Sequence, residues 1–113
     1  MVTVIYVSAD ILKMFKAETW GLTHDVDVMC HPVLDTALPE GTPILVVDLD
    51  SASGPEHSQL IEDMAVLRID GILVGAHAQH FTDSEEWILQ GNGIQTFKTL
   101  DESLDTLLGR TAV

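Results

Sequence analysis

The sequence predicts an α/β domain in which a five-stranded parallel sheet is covered by helices on both faces. Short aliphatic runs alternate along the chain with segments whose apolar residues recur at helical spacing. The connections have room only for crossover helices, which favours parallel strands. Hydrophobic residues make up 46% of the 113 residues and aromatic residues only 5%, as is typical of strands buried on both sides. We expect one domain over residues 1–113.

Five segments are predicted to be strands. Residues 2–7 are rich in β-branched side chains, and residues 44–47 form an aliphatic run that is predicted to lie at the centre of the sheet. Residues 26–30, 72–74 and 94–97 are the other three predicted strands, and each is bounded by glycine or polar residues. The polar residues from Asp48 onwards are predicted to be a loop.

Two helices are predicted in the first part of the chain. The first follows the cap residue Asp10, ends at Gly21 and places its recurring apolar residues on one face: Ile11, Met14 and Phe15. A brief second helix is expected over residues 31–38, closed by Pro39 and Gly41.

Three later helices are each predicted from a capping box, which is a hydroxyl side chain followed three residues later by a glutamate. The pairs are Ser53 with Glu56, Thr82 with Glu85 and Thr99 with Glu102. The fifth helix has the clearest amphipathic pattern, with its leucines at positions 100, 104, 107 and 108.

The charge and cysteine content restrict the possible partners and compartment. The formal net charge is −13, which makes nucleic acid and anionic membranes poor partners. The lone Cys30 allows no internal disulfide and fits a reducing compartment. We expect no secretion leader, and no apolar run is long enough to span a bilayer. We expect a soluble, cytoplasmic protein.

Candidate functional side chains follow the strands, where the carboxyl ends of a parallel sheet gather at one edge. Asp10 comes after the first strand, Asp48 and Asp50 after the third, and Lys98 after the fifth. Carboxylates grouped in this way can bind Mg²⁺, and a lysine can pair with a phosphoryl group.

With Val46-Val47-Asp48 and Phe97-Lys98 at these strand ends, the chain resembles the receiver domains of response regulators over essentially its whole length. The resemblance implies a flavodoxin-like, three-layer sandwich with strand order 2-1-3-4-5 and five helices. It makes Asp48 the equivalent of the phosphoacceptor, supported by Lys98, Asp50 and Asp10.

Several positions depart from the receiver pattern. Ser8 and Ala9 stand where the family has its two Mg²⁺-binding acids, Gly75 stands where it has a Ser or Thr, and Thr99 replaces the Pro that usually follows the lysine. Phosphoryl transfer depends on a metal to neutralise the developing charge. We therefore interpret the chain as a degenerate receiver that is not an enzyme, needs no cofactor and acts in signalling by binding another protein. The alternative is an atypical receiver that is still phosphorylated on Asp48.

Two further hypotheses concern partners and ligands. Trp87 is one of three consecutive apolar residues, and a helix that faces a sheet can bury only part of such a run. Receiver-like domains commonly pair through the fourth helix, fifth strand and fifth helix. This predicts a homodimer through Trp87, Ile94, Phe97 and Leu104. A third function, binding of a metal or small molecule, rests on histidines predicted to lie at the same edge of the sheet. They are His31, His57, His77 and His80.

Overall fold

A parallel sheet of five strands forms the centre of the molecule, in the order β2-β1-β3-β4-β5. The computed structural model describes residues 3–34, 44–51 and 55–111. The strands are β1 (Thr3–Val7), β2 (Asp27–His31), β3 (Ile44–Asp48), β4 (Leu73–His77) and β5 (Gln95–Phe97). Every neighbouring pair is parallel. The predicted sheet and its 2-1-3-4-5 order are confirmed.

Four α-helices and one short 3₁₀-helix lie in the described part of the chain. They are α1 (Ile11–His24), the 3₁₀-helix Leu49–Ser51, α2 (Pro55–Ile69), α3 (Asp83–Gly91) and α4 (Leu100–Thr111). The predicted second helix is not seen where it should begin, because β2 continues to His31 and residues 32–34 are not helical. The rest of that prediction falls on residues 35–43, outside the described residues.

The helices divide into two layers, one on each face of the sheet. Leu45 and Val47 of β3 point into a core that includes buried residues of α2 and α3. Ile44 and Val46 point to the opposite side, where α1 and α4 pack. Successive residues of a strand face opposite sides, so β3 contributes to both cores and is buried along its whole length. The result is the expected three-layer sandwich.

Helix α1 ends later than predicted, and Ile11 and Phe15 of its predicted apolar face are exposed. It continues past Gly21 to His24 and ends at Asp25, which has the left-handed conformation common at helix ends. Gly21 is buried, and a Cβ there would lie only 2.7 Å from the Val26 carbonyl oxygen and from Val28 Cγ2. The glycine thus lets α1 approach β2 closely and does not end the helix.

The ends of the later helices follow the predicted signals where they are described. Thr82 and Glu85 form both hydrogen bonds of a capping box at the start of α3. The Thr99 hydroxyl accepts the Glu102 N–H at 3.1 Å at the start of α4, and Pro55 opens α2. Ser53 lies outside the described residues.

None of the helices in the described ranges is long and apolar enough to cross a membrane.

Candidate functional site

Asp48 is the last residue of β3, and its side chain is fully buried at the carboxyl edge of the sheet. Three donors contact its carboxylate. The Ser8 hydroxyl donates to Oδ2 at 2.8 Å, and the Asp50 backbone N–H donates to Oδ1 at 3.1 Å. The Lys13 ammonium lies 3.1 Å from each oxygen. A buried charge is costly unless it is paired and hydrogen-bonded, and this carboxylate is both.

Lys13 is the residue of this site that the sequence analysis missed. It lies in the first turn of α1, and its ammonium also approaches the Asp50 carboxylate, at 3.8 Å. The positive end of the helix dipole disfavours a cation in the first turn. A lysine placed there, beside the carboxyl edge of the sheet, is therefore a signal that a carboxylate lies nearby.

The resemblance to receivers places metal-binding acids between β1 and α1. In this chain the polar side chains of that segment form hydrogen bonds within the chain instead. Besides donating to Asp48, the buried Ser8 hydroxyl accepts the Asp10 N–H at 3.0 Å. The Asp10 carboxylate accepts the Leu12 N–H at 2.9 Å and so caps α1, as predicted. Ala9 is exposed and has no ligand atom.

The Mg²⁺ ion that the resemblance to receivers implies does not fit this edge. A cation bound by Asp48 would have to share both of its oxygens with the Lys13 ammonium, which also approaches Oδ2 of Asp50. Ser8 and Ala9 supply no further carboxylate, and Asp10 uses its side chain as a helix cap. The lysine brings the positive charge that a metal would otherwise supply.

Strand β4 is longer than the sequence predicts, and this corrects the position that lies next to Asp48. Gly75 lies within the strand opposite Val46, whereas His77 lies opposite Asp48. A Cβ on Gly75 would lie 2.7 Å from Leu107 Cδ1, so the glycine makes room for α4. The interpretation that the receiver's Ser or Thr is missing here is unaffected, because residues 75–78 contain neither residue type.

His77 forms a buried pair with Tyr6 of β1. The Tyr6 hydroxyl and His77 Nε2 are 2.7 Å apart, and the two rings stack with centroids separated by 5.5 Å. Burial lowers the pKa of His77, although the nearby Asp48 acts in the opposite direction. Burial raises the pKa of Tyr6, and Asp48 raises it further. Both rings are therefore neutral near pH 7, and the Tyr6 hydroxyl and His77 Nε2 are hydrogen-bonded to each other.

Lys98 does not pair with Asp48, which corrects the expected contact between them. Lys98 is exposed on the rim of a groove of about 330 Å³ between α1 and the start of α4. In the described part of the chain no hydrogen bond or ion pair joins it to Asp48, whose cation is Lys13. Asp50 instead accepts the Gln79 N–H at 2.8 Å and links the end of β3 to the segment after β4.

The four candidate histidines do not form a common metal site. His77 is buried against Tyr6, His31 ends β2, and His80 is exposed. His57 of α2 instead contacts Glu85 of α3, with 2.6 Å between Nε2 and Oε2. Across residues 3–34, 44–51 and 55–111, no group of three or more His, Cys, Asp or Glu residues is arranged to hold a metal ion.

The predicted dimer surface is mostly buried within the chain. Ile94, Phe97 and Leu104 have at most 7% of their surface exposed and belong to the two cores, so they cannot contact a partner. Trp87 is 80% exposed on α3, as the width of its apolar run suggested. Of the four predicted interface residues, only Trp87 remains available.

The strand order and the edge residues define the class of fold, a flavodoxin-like sandwich with receiver topology. Its distinguishing feature is an acid at the end of β3 that is fully paired within the chain.

Comparison with solved structures shows the same fold. A response regulator receiver protein from Pseudoalteromonas atlantica has a TM-score of 0.75 at 8% identity, over 96% of this chain and 94% of that one. A two-component response regulator from Clostridium difficile also has a TM-score of 0.75, at 7% identity and over 100% of both chains. A protein described as pilus assembly-related, from Burkholderia pseudomallei, has a TM-score of 0.71 at 16% identity, over 95% of this chain and 89% of that one.

Neither protein-family models nor curated protein sequences give a match. At these identities, the structural likeness establishes the receiver fold.

Proposed function

We propose that this chain is a cytoplasmic, receiver-like module of signal transduction that works by binding another protein and is not switched by phosphorylation. The observation that carries the proposal is the state of Asp48, because both of its oxygens are occupied by donors from the same chain. In this proposal the chain is not an enzyme, and it functions by binding a partner protein through its surface.

The cost of phosphorylating Asp48 supports this proposal. An attacking carboxylate oxygen has to give up its donors, which here include the Lys13 ammonium and the Ser8 hydroxyl. Hydrogen bonds to a charged group contribute about 1.5–3 kcal/mol each, so freeing an Asp48 oxygen is costly. No metal-binding acid is available to offset that cost, because Ser8 and Ala9 occupy the family's positions for them.

Intact-mass measurement in the presence of Mg²⁺ and a small phosphodonor tests the proposal. We expect no gain of a phosphoryl group, while a conventional receiver treated in parallel is modified. A gain of mass that Asp48→Asn abolishes would overturn the proposal and establish the alternative, an atypical receiver phosphorylated on Asp48.

A variant with a rebuilt acidic site tests the physical reason directly. Ser8→Asp and Ala9→Asp together with Lys13→Met add two carboxylates and remove the internal cation. We expect Mg²⁺ to raise the thermal midpoint of this variant and to leave that of the native chain unchanged. Lys16→Met in place of Lys13→Met is the matched control, since Lys16 has no contact with Asp48 in the described structure. An equal response to Mg²⁺ in the native chain would contradict the role given to Lys13.

A further inference from the structure

Four large apolar side chains of α1 are exposed to solvent. Ile11, Phe15 and Leu22 recur at positions i, i+4 and i+11, so they lie along one side of the helix, and Leu12 lies beside them. These side chains are between 68% and 86% exposed. Their exposed area is on the order of 500 Å², which is near the upper end of the apolar patches on monomeric proteins. We call these four residues the α1 patch.

The α1 patch is not needed to hold α1 on the sheet. The helix packs through Ala17 and Gly21, which are buried, while Asp10 caps its first turn. The patch lies on the opposite side, and none of its residues belongs to either core cluster. A firmly held helix that presents four large apolar side chains to solvent has the character of a binding surface.

Charge points to a second copy of this chain as the occupant. A chain with a net charge of −13 repels itself, so copies approach best where the local charge is lowest. Helix α1 is the least acidic of the described helices, because the Lys13 ammonium pairs with Asp48 and the remaining charges of Lys16 and Glu18 cancel. Helix α3 has three acids and no base, so pairing through Trp87 would bring six carboxylates together.

We propose that two copies of this chain pair through their α1 patches about a two-fold axis. The same surface then serves both copies, and the contact closes without leaving a patch exposed. Two patches together bury on the order of 1,000 Å², which is the lower limit for a specific interface. This pairing rests on the part of the proposed function that has the chain act through protein contacts, and it leaves Trp87 free for a different partner.

Sedimentation equilibrium over a concentration series tests the pairing with matched variants. We expect a dimer for the native chain, and a weakening of at least about tenfold in the dimer dissociation constant for Phe15→Glu and for Leu22→Glu. Trp87→Glu is the control, because Trp87 is equally exposed but outside the α1 patch. It should remain dimeric. Far-UV circular dichroism and urea unfolding check that each variant is folded.

Three results would overturn the pairing: a native chain that stays monomeric, a dimer that Trp87→Glu dissociates and Phe15→Glu does not, or open-ended growth beyond a dimer. Salt gives an independent readout. Higher salt should favour the dimer by screening the net charge, and dissociation by salt would contradict an apolar contact. The phosphodonor assay does not depend on any of these outcomes, so failure of the pairing and failure of the proposed function are distinguishable.

Discussion

Helices α1 and α4 pack side by side on the same face of the sheet but use their apolar residues in opposite ways. Helix α4 buries Leu104 and Leu107 completely and exposes mainly polar side chains. Helix α1 buries Ala17 and Gly21 and exposes the α1 patch. The comparison separates apolar residues that hold the fold from those available for contact with a partner.

The difference has a structural cause in the distance between each helix and the sheet. The missing side chain at Gly21 lets α1 lie directly against Val26 and Val28. Helix α4 instead inserts leucines toward β4, where Gly75 leaves room for Leu107. Small residues on one helix and one strand therefore decide which large residues reach the core.

Truncating one leucine in each helix should give the largest difference. Leu107→Ala removes a fully buried side chain, and we expect a loss of about 2–5 kcal/mol in the free energy of unfolding. Leu22→Ala removes a side chain that is 86% exposed, and we expect a change within about 0.5 kcal/mol. Urea unfolding at low protein concentration, where dimer formation does not contribute, measures both. Similar losses in the two variants would show that α1 buries its apolar residues after all.

Adding a methyl group to a glycine of each helix should give effects of opposite sign. Gly21→Ala places a Cβ 2.7 Å from backbone and side-chain atoms, and we expect a destabilisation of about 1–3 kcal/mol. Gly109→Ala in α4 meets no atom within 4 Å. Its higher helix propensity should stabilise the fold by up to about 1 kcal/mol. Thermal or urea unfolding measures both changes, and a neutral Gly21→Ala would argue against the close approach of α1 to β2.

The smallest effect is a dependence on pH from His77, which lies at the groove between the two helices. Burial lowers its pKa in the folded state, so the unfolded chain binds the proton more readily. The stability that His77 contributes is present above the unfolded pKa of about 6.5. It is lost as the pH falls from there toward the lower folded pKa.

Urea unfolding between pH 8 and pH 5, as an approximate working range, should show this loss in the native chain and a smaller loss in His77→Gln. His80→Gln is the matched control, because it removes an exposed imidazole that is outside the Tyr6–His77 pair. A His77→Gln profile with the native slope would show that the imidazole stays accessible to protons in the fold.

The candidate site was predictable in part from the sequence. Asp48 at the end of a strand and Asp10 as a helix cap follow from local patterns, and both lie where expected. The contact of Asp48 with Lys13 joins residues 35 positions apart, and no local pattern specifies it. The placement of His77 beside Asp48 depends on where β4 ends, which is among the least certain features of any sequence-based assignment.

The sequence by itself determined the alternation of strands and helices. Apolar residues recur with a period of two in strands and of 3.6 in helices, and both periods depend only on the order of residues. Through its resemblance to receivers it also indicated the strand order 2-1-3-4-5. Only the tertiary structure decided which apolar side of α1 is buried and which cation pairs with Asp48. The physical reason is that a helix with two apolar sides can pack through either, and the choice depends on how closely the sheet approaches it.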